Sequence, residues 1–527
     1  MSSNNIVTAT VFAAHLKCPT KALLLARGEK PANTFFAKMN ENISMAYKAK
    51  FKDISSVNFC DLTGHSHAHT RLTANFIDAE TAFYSTSVSA AFQDDRCIMR
   101  PANDYVPVLY SPWDKLGQSD RLIVSFGALA IGQATGAESP PNGQIIFGHT
   151  RGIKRVRNNE LFPRTRQIIG EIVTNHSEKP RPPVLNKHCS VCDFQSRCRS
   201  IAINRDDLSL LGAMTQKERA KSSEKGITTL TQLSYGYRPR RRKRTKSDAS
   251  RSKPPVRHDH KLKALAVKKE QIHVVGSPAL GIDGTPVFID VEGMADREFY
   301  YLVGLRYETQ GRPIERSFWA DGSEDEFAMW QGCLRSLKEI HKPRLVHYGA
   351  YESRFLKLMK SRWKPADEDA AFVDQLIDTS TNLVSSIYGK IYFPSYSNGL
   401  KDIARWLGFK WTLPQASGGA AALLRRCWEL TSKHQLREEL IAYNMEDCRA
   451  AELVADAIKR IICSDEAQDG GTKLETVNVS SLEVGFQRTF GKFQSALPEF
   501  EKINAAAYWD YQRSKVYVRT NKVIRQS

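Results

Sequence analysis

The chain has 527 residues, 41% of them hydrophobic, a formal charge of +19 and an isoelectric point near 9.4. That length allows about three packed domains, and the absence of any run of 18 apolar residues excludes a membrane-spanning helix. The excess of positive charge favours a polyanionic partner, most simply nucleic acid. Residues 1–10 lack the charged start, apolar core and small-residue cleavage site of a signal peptide, so a cytoplasmic protein is expected. Ten cysteines in that compartment argue against a disulfide framework.

Residues 1–203 are expected to form the first unit. Residues 7–28 read as a short strand and then a helix, with Cys18-Pro19 between them, and Cys189, Cys192 and Cys198 close the unit with the spacing C-x2-C-x5-C. The last three stand in a polar stretch among Lys187, His188, Asp193, Arg197 and Arg199, a poor setting for ordinary buried thiols. Four thiolates could hold zinc or a [4Fe–4S] cluster. A lone Cys-Pro near the start with a late C-x2-C-x5-C resembles the iron–sulfur nucleases of the RecB/Cas4 group. The resemblance implies a cluster that staples the two ends of a PD-(D/E)xK domain. That fold needs an Asp, then Glu-x-Lys or Asp-x-Lys on the next strand, so that carboxylates bind metal beside a lysine. Asp78, Glu80, Asp94 and Asp95 could supply the first acid. The apolar strand at 105–110 carries none, and after it Asp114 and Lys115 are adjacent, which on a strand would send them to opposite faces. An apolar helix follows at 120–133. The expectation is a RecB-like domain with a degraded catalytic set, kept for binding or scaffold.

Residues 204–237 read as a small helical element. Thr215-Gln216-Lys217-Glu218 has the form of a capping box, and the turn at 226–230 leads into a second helix. This is either a helix–hairpin–helix that holds a phosphate at a helix start or a plain connector. Residues 238–269 are expected to be a basic linker. Arg240, Arg241, Arg242, Lys243 and Arg244 lie in a run almost without apolar residues, suited to phosphate contact rather than packing.

Residues 270–463 carry the strongest pattern. Strands are expected at 287–291, 300–307, 316–319 and 344–348, and helices at 324–340, from 351 to 360, at 400–407 and at 438–459. Asp290 and Glu292 stand two apart on the first strand and so share a face. Two acids on one face repel unless a cation lies between them, and hard divalent metals take oxygen ligands. Tyr443 and Asp447 lie four apart where a helix is expected to begin, again on one face. Asp-x-Glu on a strand followed by Tyr-x-x-x-Asp on a helix resembles the DEDD exonucleases of ribonuclease H-like fold, in the subgroup with the extra tyrosine. That family's second acidic motif lies on a strand-to-helix step, usually as an aromatic followed by Asp. Here Tyr351-Glu352 fills the place, and Glu352 is either a longer-reaching ligand or an acid favoured at a helix start. Ser397, Asn398 and Lys401 either face the site or serve the core and a cap.

Cysteine motif and acidic motifs together resemble the TM0106-type RecB-like nucleases, which join a cysteine-cluster domain to a YprB-like ribonuclease H-like domain. The expected fold is a multidomain α/β chain: a RecB/PD-(D/E)xK-like domain, a small helical element and a ribonuclease H-like mixed sheet. The resemblance implies a 3′–5′ exonuclease, with DNA favoured over RNA. Asp290, Glu292, Glu352 and Asp447 would hold two Mg2+ or Mn2+ ions and Tyr443 would position the attacking water. Cys18, Cys189, Cys192 and Cys198 would hold the [4Fe–4S] cluster, or zinc in its place. Some members carry a helicase; this chain has no G-x-x-x-x-G-K-[ST] loop, so a helicase or another repair or mobile-element protein would act in trans. Residues 464–527 read as a linker and a basic aromatic tail, either touching nucleic acid or opening a further domain. The rival reading is a catalytically weak nucleic-acid-binding protein of a mobile-element, repair or defence system.

Overall fold

The structure, a computed structural model, describes residues 6–32, 34–52, 76–78, 83–85, 106–135, 138–177, 182–237, 257–413, 417–463 and 474–482. Glu80, Asp94, Asp95, the basic residues Arg240, Arg241, Arg242, Lys243 and Arg244, and the aromatic tail at 504–527 lie outside the described residues. Among the described residues no helix is long and apolar enough to cross a membrane.

The first unit runs β1 (Ile6–Thr8), α1 (Ala9–Lys17), α2 (Pro19–Ala26), α3 (Phe35–Lys52), β2 (Phe76–Asp78), β3 (Phe83–Ser85), β4 (Val106–Ser111), α4 (Gln118–Thr135), β5 (Asn142–Phe147), β6 (Gly152–Arg157), α5 (Phe162–Ser177) and α6 (Gln195–Asn204). Strands β2, β4 and β5 are parallel and β6 closes the sheet antiparallel, in the order β2-β4-β5-β6. Helix α4 buries Leu122, Phe126 and Leu129 against Val11 and Phe12 of α1 and Ile168 and Ile172 of α5. A short 3-10 turn, Lys187–Val191, then brings the late cysteines back beside α2.

Helices α7 (Gln216–Ser223) and α8 (Leu230–Tyr235) follow, each opened by a complete capping box, Thr215 with Glu218 and Thr229 with Gln232. The expected linker is shorter than its charge implies. Residues His260–Lys269 form α9: Asp259 caps its start, Leu262 and Ala266 stand four apart on one face, and both are buried together with Ala264. Lys263 on the same buried face donates to Phe393 O at 2.9 Å, Ser395 Oγ at 3.2 Å and Asn398 Oδ1 at 2.9 Å. Burial pushes its ammonium down to about 7. It pins the turn that precedes the candidate site. Lys263→Met is expected to destabilise the protein by about 1–3 kcal/mol, through acceptors left unmatched in the interior. A thermal midpoint equal to wild type would show that the clamp contributes nothing.

The second unit contains β7 (Ile272–Val274), β8 (Thr285–Met294), β9 (Phe299–Thr309), β10 (Arg312–Trp319), α10 (Glu326–Lys338), β11 (Pro343–His347), α11 (Tyr351–Trp363), α12 (Asp367–Thr379), β12 (Thr381–Asn382), α13 (Leu383–Ile387), β13 (Ile391–Tyr392), α14 (Leu400–Trp406), α15 (Gly418–Thr431) and α16 (His434–Ile462). Its sheet has the order β10-β9-β8-β11-β12, antiparallel from β10 to β8 and parallel from β8 to β12. On β8, Val287, Ile289 and Val291 enter one core while Phe288 enters the core on the opposite side, the period of two made visible. Beyond the boundary drawn at residue 463, β14 (Thr476–Asn478) returns to pair with β7, so part of the expected tail is built into this unit.

The two units share a core. Phe36 and Ile43 of α3 are buried among Leu423, Leu424 and Cys427 of α15 and the sheet residues behind them. At the edge of this contact Arg426 reaches Asp114 at 3.0 Å and Asp296 at 3.1 Å, and Arg297 pairs with Glu429 at 2.6 Å. Asp114 also accepts from His149 Nδ1 at 2.5 Å. Burial alone would raise its carboxyl, but the bonds from His149 and Arg426 outweigh that and hold it below its ordinary value. Asp114 sits in a bend after β4, tied into this junction, and its neighbour Lys115 is exposed. The adjacent pair therefore does not stand on a strand at all.

Candidate active site

Helix α16 positions the late motif. Leu436, Leu440, Cys448, Ala451, Val454, Ala455, Ile458 and Ile461 form a buried stripe at spacings of three and four, as an amphipathic helix requires. Tyr443 and Asp447 interrupt that stripe midway along the helix rather than opening it, as the sequence had implied. The helix lies close to the sheet because position 304 on β9, paired with Asp290, is glycine. A Cβ there would stand 2.1 Å from Asn444 Oδ1. Asn444 uses this proximity to donate to Asp290 Oδ2 at 2.6 Å and to Asp290 O at 3.1 Å.

Asp290 and Glu292 from β8 and Asp447 from α16 converge, each offering a carboxylate oxygen within 4.8 Å of the others. Burial, then the neighbouring carboxylates, raise Asp290 well above the ordinary range, and burial followed by Asp447 pushes Glu292 up to about 8. Lys401 at the start of α14 donates to Asp447 Oδ2 at 2.8 Å and to Tyr443 Oη at 2.5 Å. Trp411 Nε1 donates to Asp447 Oδ1 at 2.7 Å. Burial lifts the Tyr443 phenol above its usual range, so it stays protonated and can donate.

Glu352 stands one step back. It is buried at the start of α11, 3.6 Å from His347 Nδ1, outside the trio's 4.8 Å limit. Its Oε2 has no hydrogen-bond partner, and burial pushes its carboxyl up to about 7. A buried carboxylate oxygen without a partner beside three converging acids suits a cation or its water. Of Ser397, Asn398 and Lys401, Lys401 reaches the acids; Asn398 serves the Lys263 clamp and Ser397 bonds Asp402.

Glu292 and Glu352 therefore hold protons in the folded chain that the unfolded chain, with carboxyls near 4.5, releases. A raised folded value means stability that is present below about pH 4.5 and is lost as pH rises toward about 8. The metal-free thermal midpoint is expected to fall between pH 5 and 8, and added Mg2+ or Mn2+ to recover part of the loss. A midpoint that is flat or rises over that window, with metal removed, would contradict the electrostatic picture of the site.

The four cysteines also meet. Cys18 sits at the α1–α2 junction, Cys189 in the 3-10 turn, Cys192 just after it and Cys198 on α6, and all four border one enclosed cavity with His188 and Lys21. None of the four forms a disulfide. Burial, and then the other thiols, push Cys198 up to about 11, and burial raises Cys189 and Cys192. Lys21 to Asp193 at 3.0 Å and Thr34 to Asp193 at 3.0 Å tie the two ends of the unit together independently of any bound group.

A mixed sheet whose first strand is central, with acids on that strand meeting an acid on the last long helix, defines a nuclease-type fold of the ribonuclease H-like class. In agreement, residues 287–459 match the family model RNase_H_2 of the RNase H superfamily. No curated protein and no solved structure gives a match. The sequence reading missed Asn444 and Trp411, which hold Asp290 and Asp447. The signal for Asn444 was present: it stands four residues from both Leu440 and Cys448, a polar residue in line with the apolar stripe.

Proposed function

We propose that this chain is a divalent-metal-dependent nuclease whose chemistry resides in residues 270–463, acting as a 3′–5′ exonuclease on nucleic acid, DNA before RNA. The observation that carries this reading is the convergence of Asp290, Glu292 and Asp447, with the orphaned Glu352 behind them. Asp290, Glu292 and Asp447 would hold the ions, and Glu352 would reach them directly or through water. Bound there, Mg2+ or Mn2+ would supply charge to the scissile phosphate and an acidified water. Tyr443 holds a proton on its phenol and orients that water, and Asn444 fixes the Asp290 carboxylate for its task. Lys401, which donates to Asp447, would also offer its ammonium to a phosphate oxygen.

For the first unit we propose a RecB-like scaffold of the TM0106 type without its own chemistry. Asp114 is taken up by Arg426, Arg297 and His149, and Lys115 stands in solvent. Cys18, Cys189, Cys192 and Cys198 would hold a [4Fe–4S] cluster or zinc, and their meeting in one cavity supports a bound group there. The test is anaerobically purified protein with end-labelled single-stranded DNA and RNA, in Mg2+, in Mn2+ and in chelator. Stepwise release from the 3′ end that requires metal is expected. No turnover under any of these conditions would favour the binding-protein reading.

A further inference from the structure

A cleft of about 1490 Å3 opens beside the acids, larger than the roughly 300–1,000 Å3 that small-molecule sites occupy. Its lining comes from different parts of the chain. Asp290, Asp447, Lys401 and Arg405 of the second unit border it. So do Lys187 and Arg199, which flank the late cysteines, and Arg219 of α7. We propose that this cleft is the track for one nucleic-acid strand, and that the cysteine segment and α7 form one wall of it, with Lys187, Arg199 and Arg219 gripping the phosphates.

Charge supports the assignment. Arg297, Arg306, Arg425 and Arg426 are all bound to carboxylates. Among the described residues Lys187, Arg199, Arg219 and Arg405 form no ion pair, and Arg219 only donates to Met214 O at 2.8 Å. Asp402 also borders the cleft, where its carboxylate accepts from Ser397, and Asp447 is already matched by Lys401. Unmatched cations collected around one cleft suit a chain of phosphates. Aromatic faces are present as well. Arg199 lies over the Tyr396 ring at 5.3 Å, and Trp406 is 37% exposed at the cleft. Rings of this kind stack on unpaired bases, whose faces a duplex keeps covered, so the occupant assigned is single-stranded.

The wall is fixed to the unit it faces. Val191 of the cysteine segment packs on the second unit's core, and a Cβ at Gly419, the second residue of α15, would meet Val191 Cγ1 at 2.7 Å. The cysteine segment therefore helps to shape the entrance to a site whose acids belong to a distant part of the sequence.

The proposal rests on the nuclease reading only for what the strand is used for, since binding is read without turnover. The measurement is fluorescence anisotropy of a labelled single-stranded oligonucleotide with the full chain in chelator, over a series of salt concentrations. The Lys187→Ala, Arg199→Ala, Arg219→Ala variant is expected to bind at least about tenfold more weakly, with the salt slope reduced by roughly 2–3. Lys154→Ala, Lys357→Ala, Lys268→Ala removes equal charge from exposed positions elsewhere and is expected to change affinity by less than about threefold. Arg199→Lys alone, which keeps the charge and loses the stacking plane, should fall between. The proposal is overturned if the triple variant, folded by its thermal midpoint, tracks the control set. It is equally overturned if wild type binds a blunt duplex as tightly as the single strand, or binds neither. Absence of turnover with Mg2+ and Mn2+ would sink the nuclease reading and leave this result standing.

Discussion

Asp447→Asn and Asp290→Asn are each expected to lower turnover at least about a thousand-fold, which is about 4 kcal/mol of transition-state stabilisation. Both changes keep size and remove the charge that a divalent ion needs. At 447 the amide also meets the wrong partners, because the oxygens it replaces accept from Lys401 and Trp411. At 290 an amide faces the Asn444 amide that now donates to the carboxylate. Tyr443→Phe should be milder, since it removes an orienting hydroxyl and no ligand. Glu352→Asp should retain or raise activity, as it restores the residue usual at that step in the exonucleases it resembles. Steady-state release of labelled nucleotides in Mg2+ and in Mn2+ measures all four. Robust activity in the Asp290→Asn, Asp447→Asn double variant would move the chemistry into the first unit.

Arg426→Met should destabilise the whole chain by about 3–5 kcal/mol. Arg426 is 2% exposed and serves Asp114, Asp296 and Glu429 together. Removing its charge leaves Asp296 without an ionic partner in a largely desolvated junction and strips Asp114 and Glu429 of one cation each. Adding Asp114→Asn to Arg426→Met should recover part of the loss, because one of the stranded charges is gone, and a double-mutant cycle on the thermal midpoints reads the coupling. Additive losses would mean that the two residues are neighbours without energetic linkage.

Local geometry was legible in the sequence. Asp290 with Glu292 follows from strand alternation, Tyr443 with Asp447 from helical spacing, and the box at Thr215 from capping preferences; the second box, at Thr229, was read only as a turn into a helix. What could not be read depends on contacts between remote segments. Charge marked 260–269 as linker, whereas its buried face makes a helix whose lysine clamps a turn over a hundred residues later. Asp114 read as a fragment of a nuclease motif because its partners, Arg426 and Arg297, are supplied by another unit. Glu352 was placed among the ligands from its motif, and its offset toward His347 is a matter of packing around α11 that spacing does not encode.

The shared core between α3 and α15 has a consequence during synthesis. Phe36 and Ile43 leave the ribosome long before residues 418–431 exist to cover them. At about 5–20 residues per second, the interval is roughly 20–80 seconds. Over that time a nascent first unit presents an apolar helix face that its own chain cannot yet bury. Chaperone capture of ribosome-bound chains should therefore be strong while the chain ends before α15 and fall once α15 has emerged.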